Sequence, residues 1–289
     1  MANTRDLQRR IRSVKGTRQI TKAMKMVAAA KLRRAQTAVA EARPYADTLA
    51  KVLARVASRT EYDHPLLKRR EAGHVWVVVI SSDKGLCGSF NASLLREAER
   101  ELRAPAQWDG AEIVAVGRKA ADYFKAQDYA VAHEEREIMS NLGPEDGPRL
   151  AQMCIKAFNS GQVSGVWVIY NRFINLIRHE TTLERLLPIE PPRMDERGPT
   201  DEMVDYLYEP DPAALLDTLL PGYVEARVQT ALLDSAAAEQ AARMTAMEAA
   251  TKNAGEMIDS LTLLYNRTRQ AAITKELIEI VSGAQAPAE

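Results

Sequence analysis

Cysteine and histidine are scarce in this chain of 289 residues, which contains two cysteines and four histidines. Neither Cys87 nor Cys154 belongs to a CxxC pair, and no histidine stands at a spacing typical of a metal site. We therefore expect no structural zinc, and the low cysteine content favours a reducing compartment.

Long apolar runs are also missing. No segment approaches the roughly eighteen consecutive apolar residues that identify a membrane-spanning helix. The N-terminus has no apolar signal-peptide core. It is rich in arginine and poor in acids, as transit peptides are, but its helical pattern continues past residue 40. We therefore interpret it as part of the mature protein.

The formal net charge is zero, because 39 Lys and Arg balance 39 Asp and Glu, and this disfavours a globally basic nucleic-acid binder. The charges are nevertheless unevenly distributed. Residues 1–34 carry eleven Lys or Arg and one acid, whereas residues 211–289 carry eleven acids and six Lys or Arg. The two segments are therefore expected to pair antiparallel, and the basic one also suits an acidic partner.

Catalytic signatures are absent, since the chain contains no GxSxG, HExxH, P-loop or GxGxxG motif. One glycine-rich stretch, GLCG at 85–88, follows a predicted strand and precedes a predicted helix, where phosphates often bind. We favour a simple turn there over a nucleotide site, in which Asp83 and Lys84 would be the contacts. The sequence thus predicts no catalytic residue, no metal ligand and no cofactor.

Two long helical patterns are present, one at each end of the chain. In the first, over about 4–58, apolar residues recur at three- and four-residue steps, with a phase slip near Gly16. Pro44 is expected to kink or end it. The second runs from about 223 to 281 without proline. Because helices usually span only about 10–14 residues, such lengths predict a coiled coil or a rod that enters a partner.

Between these patterns, apolar β-branched strands alternate with helices, and the last two strands are predicted to be antiparallel neighbours. The predicted fold is a small Rossmann-like α/β domain inserted between two terminal helices that form an antiparallel coiled coil. The expected organisation is an N-terminal helix at 1–58, the α/β domain at 74–190, a linker at 191–210 and a C-terminal helix at 211–289.

Several stretches together resemble the gamma subunit of the bacterial F-type rotary ATP synthase. They are RDLQRRIRSVKGTRQITKAMKMVAAAKLRRAQ, SSDKGLCGSFN, DYLYEPDP, EQAARMTAMEAATKNAGEMI and LTLLYNRTRQAAITKELIEIVSGA. The resemblance extends over essentially the whole chain in the same order. It implies a rotor shaft without an active site of its own, one copy per complex. Proton flow turns a membrane ring, and the shaft drives the catalytic ring of three alpha and three beta subunits.

The resemblance also implies partners and contact residues. The partners are the alpha, beta and epsilon subunits and the membrane c-ring, with no nucleic acid, at the cytoplasmic face of the inner membrane. Residues facing the acidic lever of beta would be Arg9, Arg10, Lys22, Met24, Lys25, Lys31 and Arg34. Residues at a catch loop of the catalytic ring would be Arg243, Arg267, Arg269, Gln270, Thr274 and Glu276.

Three further groups follow from the same resemblance. The tip that turns in an apolar sleeve would be Leu277, Ile278, Ile280 and Val281. The loop near epsilon and the beta lever would contribute Lys84, Cys87 and Gly88. The foot that meets epsilon and the membrane ring would contribute Tyr206, Tyr208 and Glu209.

Two departures from the family pattern affect the expected helices, and two other functional classes stay open. Pro221-Gly222 predicts that the C-terminal helix starts late or bends, and Gly16 is expected to soften the N-terminal helix. A nucleotide-binding α/β enzyme should bind ATP as an isolated chain. A coiled-coil scaffold or nucleic-acid protein should bind DNA through residues 1–34 in a salt-dependent manner.

Overall fold

The computed structural model describes residues 4–59, 64–70, 73–103, 110–190 and 212–284, without the side chains of 55–59, 212–214 and 282–284. Helices and strands in chain order are α1 Thr4–Arg59, β1 His74–Ile80, α2 Phe90–Leu102, β2 Glu112–Val116, α3 Arg118–Ala126, β3 Val131–Glu135, α4 Asp146–Asn159, β4 Val163–Phe173, β5 His179–Leu187 and α5 Pro212–Ala284. The residues form two compact units. The first unit is Met1–Ala28 with Met244–Glu289, and the second unit is Ala29–Arg243.

The second unit contains a five-stranded sheet in the order β3-β2-β1-β4-β5, with β5 antiparallel to β4 and the other pairs parallel. Side chains of β1 alternate between its two faces, as the strand period requires. Val77 and Val79 pack with α2 and α3, whereas Val78 and Ile80 pack on the opposite face. Burial on both faces explains the uninterrupted β-branched run, and the predicted Rossmann-like domain is confirmed.

The opposite face of the sheet is covered by α4 together with the middle parts of both long helices. Leu53 of α1, Phe158 of α4 and Val224 of α5 all belong to the buried cluster on this side. The long helices are therefore part of the core of the second unit, because without them α4 alone would cover this face of the sheet and leave part of it exposed to water.

Neither proline inside a long helix ends it. Pro44 lies inside α1, and α5 begins at Pro212, so the C-terminal helix does not start late at Pro221, and the bends expected near Pro44 and Pro221 stay predictions. An interior proline costs a helix about 3 kcal/mol through a lost hydrogen bond and a steric clash. Buried side chains on both sides of each proline offset this cost. They are Val39, Ala46 and Leu49 around Pro44, and Leu216, Leu220 and Val224 around Pro221.

A polar cluster joins α1, α5 and the β4–β5 hairpin within the second unit. Arg43 donates to Asp234 across 3.2 Å, and the Asp234 carboxylate is buried. Arg227 pairs with Glu184, which also accepts a 3.0 Å hydrogen bond from Tyr170. Burial raises the pKa of Asp234, and the charge of Arg43 only partly opposes this effect.

Replacing Arg43 by alanine is expected to lower the free energy of unfolding by about 2 kcal/mol near neutral pH, because Asp234 would stay buried without its cation. The loss should shrink at lower pH. A carboxyl group with a raised folded-state pKa binds its proton more tightly when folded, so stability falls as pH rises from its unfolded value through the raised one. Urea unfolding of the full-length chain at about pH 5 and about pH 8 measures this.

The control for this prediction is Arg178→Ala. Arg178 is exposed and lies 3.9 Å from Glu180, an arrangement that contributes little to stability. A loss in Arg43→Ala that is equal at both pH values, or no larger than the loss in Arg178→Ala, would contradict the role of the buried pair.

Candidate functional site

The first unit is an antiparallel helix pair. Three side-chain contacts show the direction, since residue numbers rise along α1 while they fall along α5. They are Gln8 with Tyr265 at 2.7 Å, Thr21 with Thr251 at 2.8 Å, and Lys25 with Glu248 at 2.6 Å. The seam between the helices contains mainly small or apolar buried residues, as in a coiled coil. They are Leu7, Thr21, Ala28, Met247, Ala254 and Ile258.

The basic face of α1 points away from this seam. Arg9, Arg10 and Lys22 are exposed, and within the described residues their side chains make no ion pair or hydrogen bond. Lys25 differs, because its ammonium group is held by Glu248 on α5. Met24 is half-buried beside it. The structure therefore leaves most of the predicted lever-facing cations open to a partner and uses one of them to hold the helix pair together.

The C-terminal end of α5 is exposed along most of the stretch that the structure describes. Gln8 meets Tyr265, and α1 begins only four residues earlier, at Thr4. Every residue from 269 to 281 is exposed, and so is Arg267. This stretch includes the predicted catch residues Arg269, Gln270, Thr274 and Glu276, together with the four predicted tip residues.

Four apolar side chains near this end are largely in solvent. Leu277 is 57% exposed, Ile278 61%, Ile280 68% and Val281 55%. A helical segment without tertiary contacts is only marginally stable, and clustered exposed apolar residues mark interaction surfaces. This end of α5 therefore has the properties of a surface that a partner covers.

The stretch after β1 is partly structural. The first three amide groups of α3 all bind Ser81, Ser82 or Asp83, through Arg118 N to Asp83, Lys119 N to Ser82 O and Ala120 N to Ser81 Oγ. Asp83 also accepts from the Glu137 amide and the Ser140 hydroxyl. The Asp83 carboxylate accepts a hydrogen bond from an amide at the N-terminus of α3 that has no partner within the helix. The hydrogen bonds of Asp83 are therefore made within the fold, and Asp83 has a structural role.

The remainder of this loop contains both buried and exposed residues. Cys87 is buried against Phe90 and Ala238, and burial raises the pKa of its thiol. Lys84, Leu86 and Gly88 are exposed instead. Of the three residues predicted for a partner contact here, two therefore face solvent and Cys87 does not. The sequence analysis did not identify Leu86 as an exposed candidate for this contact, because the local pattern does not show which of Leu86 and Cys87 faces solvent.

Arg243, predicted at the catch loop, is turned inward within the second unit. Its guanidinium donates to the carbonyl oxygens of Lys84 at 3.3 Å and Gly85 at 3.2 Å, and it pairs with Glu239 at 2.7 Å. Ser235 of α5 also donates to Ile80 O at 3.3 Å. Helix α5 thus covers the carboxyl end of β1, where open α/β sheets bind ligands, and this disfavours the nucleotide-binding alternative.

In the described part of the chain, no three His, Cys, Asp or Glu side chains are grouped so that they could hold a metal ion. None of its helices combines the length and apolarity that crossing a membrane requires. The predicted foot residues Tyr206, Tyr208 and Glu209, with the linker at 191–210, lie outside the described residues.

The chain is similar to known proteins along its whole length. A family model described as ATP synthase matches residues 3–286. The ATP synthase gamma chain of Desulforudis audaxviator is 46% identical over 296 residues, with 99% of each chain covered. That of an Anaeromyxobacter species is 48% identical over 291 residues, again with 99% of each chain covered.

Solved structures agree with these relatives. A chain from the central stalk and c-ring of the Tetrahymena thermophila mitochondrial ATP synthase matches with a TM-score of 0.59 and 26% identity, over 80% of this chain and 99% of that one. A chain from the Euglena gracilis mitochondrial ATP synthase rotor shares the fold, with a TM-score of 0.67 and 22% identity over 93% and 98%. The chain therefore belongs to the family of ATP synthase gamma chains, the central-stalk subunits of the F-type ATP synthase.

Proposed function

We propose that the end of α5 is the part of the central stalk that turns inside the catalytic ring of alpha and beta subunits. The observation that carries this proposal is the exposure of every residue from 269 to 281, including four large apolar ones. Leu277, Ile278, Ile280 and Val281 suit an apolar sleeve that allows rotation, because dispersion and hydrophobic contacts are not directional. Arg267, Arg269, Gln270, Thr274 and Glu276 precede them and suit polar contacts with the ring.

We infer a second contact surface on α1. The exposed cations Arg9, Arg10 and Lys22 make no ion pair within the described residues, and they suit the acidic lever of beta. Lys31 and Arg34, which belong to the second unit, are also exposed cations. Lys25 is expected to contribute less, because Glu248 already neutralises it.

The chain is a component of the ATP synthase, and we propose that it supplies no catalytic group itself. Its part would be mechanical. As it turns, it would contact the conformers of the beta subunit unequally, and only such a difference in interaction free energy can shift a conformational equilibrium. The epsilon subunit and the membrane c-ring complete the set of proposed partners. They place the chain at the cytoplasmic face of the bacterial inner membrane, held there through the complex.

Replacing Gln270 by leucine is expected to lower complex yield or ATPase activity, because partner groups that bind the amide would be left unpaired. Each such group costs about 1–3 kcal/mol when buried. Gln19→Leu makes the same change at an exposed position of α1 that is not an assigned contact. Yield and ATPase activity that are normal in Gln270→Leu, or equally low in both variants, would remove Gln270 from the proposed surface.

Co-purification tests the proposed assembly as a whole. The affinity tag should be on a membrane-proximal partner and not on this chain, whose C-terminal end is proposed to be enclosed. Detergent-solubilised membranes should then yield one copy of the chain per three alpha and three beta chains, together with ATPase activity. Recovery of the chain without alpha and beta subunits would overturn the proposal.

A further inference from the structure

Leu86 has a backbone conformation that is unfavourable for its residue type. Its φ angle is +63°, and its side chain is 65% exposed. The left-handed region costs an L-residue with a large side chain about 1–2 kcal/mol, and such strain persists only where the surroundings enforce it. An apolar side chain held outward at this cost has no evident use in the fold of the chain itself.

The surroundings that enforce this conformation are the groups bound to the two preceding carbonyls. Lys84 O accepts from Ser82 Oγ at 2.7 Å and from Arg243 at 3.3 Å, and Gly85 O accepts from Arg243 at 3.2 Å. Both contacts are made by one nitrogen, Arg243 Nη2, and they restrict the orientation of both peptide groups. On the other side of Leu86, the buried Cys87 fixes the chain again.

Arg243 is itself held by Glu239, one turn earlier on α5. Their side chains are 11% and 5% exposed, and 2.7 Å separates Arg243 Nη2 from Glu239 Oε1. Glu239 Oε2 is buried without a hydrogen-bond partner among the described residues. A buried carboxylate with one unpaired oxygen is unfavourable, and burial accordingly raises the pKa of Glu239. The other charged groups that act on it are Asp83 and Lys31.

We infer that Glu239 and Arg243 form a buried latch that holds residues 84–88 in the one conformation that presents the Leu86 side chain to a neighbouring subunit. The matching surface would be an apolar socket bordered by carboxylates, because exposed Lys84 flanks Leu86. Arg243 and Glu239 are thus positioning residues, and Leu86 is the contact. The contact rests on the proposed function, whereas the latch is a property of the chain alone.

The latch is tested by hydrogen exchange of the amides of 84–88 in the purified full-length chain. Arg243→Ala and Glu239→Gln are expected to speed exchange at least tenfold. Arg243→Lys should lie between them and the unmodified chain, because an ammonium group can still pair with Glu239 but lies one bond closer to the backbone than Arg243 Nη2, and so reaches the two carbonyl oxygens less well. The matched control is Glu256→Gln, which removes an exposed pair with Lys252 on the same helix. Unchanged exchange in Arg243→Ala and Glu239→Gln overturns the latch.

The contact is tested in the assembled complex with Leu86→Ala, which removes the side chain and leaves the latch intact. We expect ATP-driven proton pumping per ATP hydrolysed to fall about threefold or more, with loop exchange in the isolated chain close to normal. Normal pumping with normal complex yield would overturn the contact role of Leu86. That result would not contradict the proposed assembly of the central stalk, because co-purification tests the assembly separately.

Discussion

Replacing Gly117 by alanine is expected to lower the free energy of unfolding by about 3–5 kcal/mol, since a strained φ and overpacking each contribute about 1–3 kcal/mol. Gly117 has a φ of +87° and precedes α3. An added Cβ would lie 2.4 Å from Ser81 O and 2.8 Å from Ser81 C. These are backbone atoms at the end of the central strand, so they cannot rotate away as a side chain would.

A displacement of Ser81 in the Gly117→Ala variant would affect two neighbouring elements. Its hydroxyl accepts from the Ala120 amide, and its own amide donates to Val116 O. A shift of Ser81 therefore disturbs both the start of α3 and the β1–β2 junction. Urea unfolding of the full-length chain, followed by circular dichroism, measures the loss.

Gly222→Ala is the matched control in the same unit. Gly222 lies inside α5, and an added Cβ would meet only Leu49 Cδ2 at 4.0 Å, an ordinary contact. Alanine is a better helix former than glycine by about 1 kcal/mol, so this variant should be as stable as the unmodified chain or more stable. Similar losses in both variants would show that a general effect of glycine replacement, and not the clash with Ser81, explains the result.

Replacing Met24 by lysine is expected to lower the rate of ATP-driven proton pumping about tenfold. The change adds a cation next to Lys22 and Lys25, on the surface proposed to face the acidic lever of beta. Tighter contact would slow the step in which the lever releases the turning helix, and about 1.4 kcal/mol of added attraction corresponds to a factor of ten in rate. The rates of ATP hydrolysis and proton pumping by the reconstituted complex, measured in parallel, should fall together.

Two controls separate position from charge and size. Met24→Leu keeps an apolar side chain of similar volume and should leave pumping close to normal. Gln19→Lys adds the same charge five residues earlier on α1, at an exposed position that is not an assigned contact. If Gln19→Lys slows proton pumping as much as Met24→Lys does, the added net charge is responsible and the lever contact at Met24 is wrong.

Most of the helices and strands of the fold could be predicted from the sequence. The strand at His74 and the parallel core followed from apolar β-branched residues, and the antiparallel hairpin of β4 and β5 was also predicted correctly. The two long helices followed from apolar residues at three- and four-residue steps. These patterns are visible in the sequence because they depend on the periods of the helix and the strand, which relate only nearby residues.

A local rule was less successful at the start of α5. Pro221-Gly222 predicted a late start or a bend, and the helix begins earlier, at Pro212, because buried side chains around the proline offset its cost. The lever and catch assignments depended on resemblance, and the structure adds what each side chain contacts within the chain. Arg9 and Gln270 are open to solvent, whereas Lys25 and Arg243 are engaged in ion pairs.

Composition and periodicity, which are properties of continuous segments, were enough to predict the helix pair, the α/β domain and the charge of the basic face. Three features depend instead on how distant segments pack: Arg243 binds the loop at Lys84 and Gly85, Cys87 is buried and Leu86 is exposed. Arg243 and Lys84 are far apart in the chain and meet because α5 packs over the carboxyl end of β1. Which side chain faces water in that loop depends on this packing, and no local pattern encodes it.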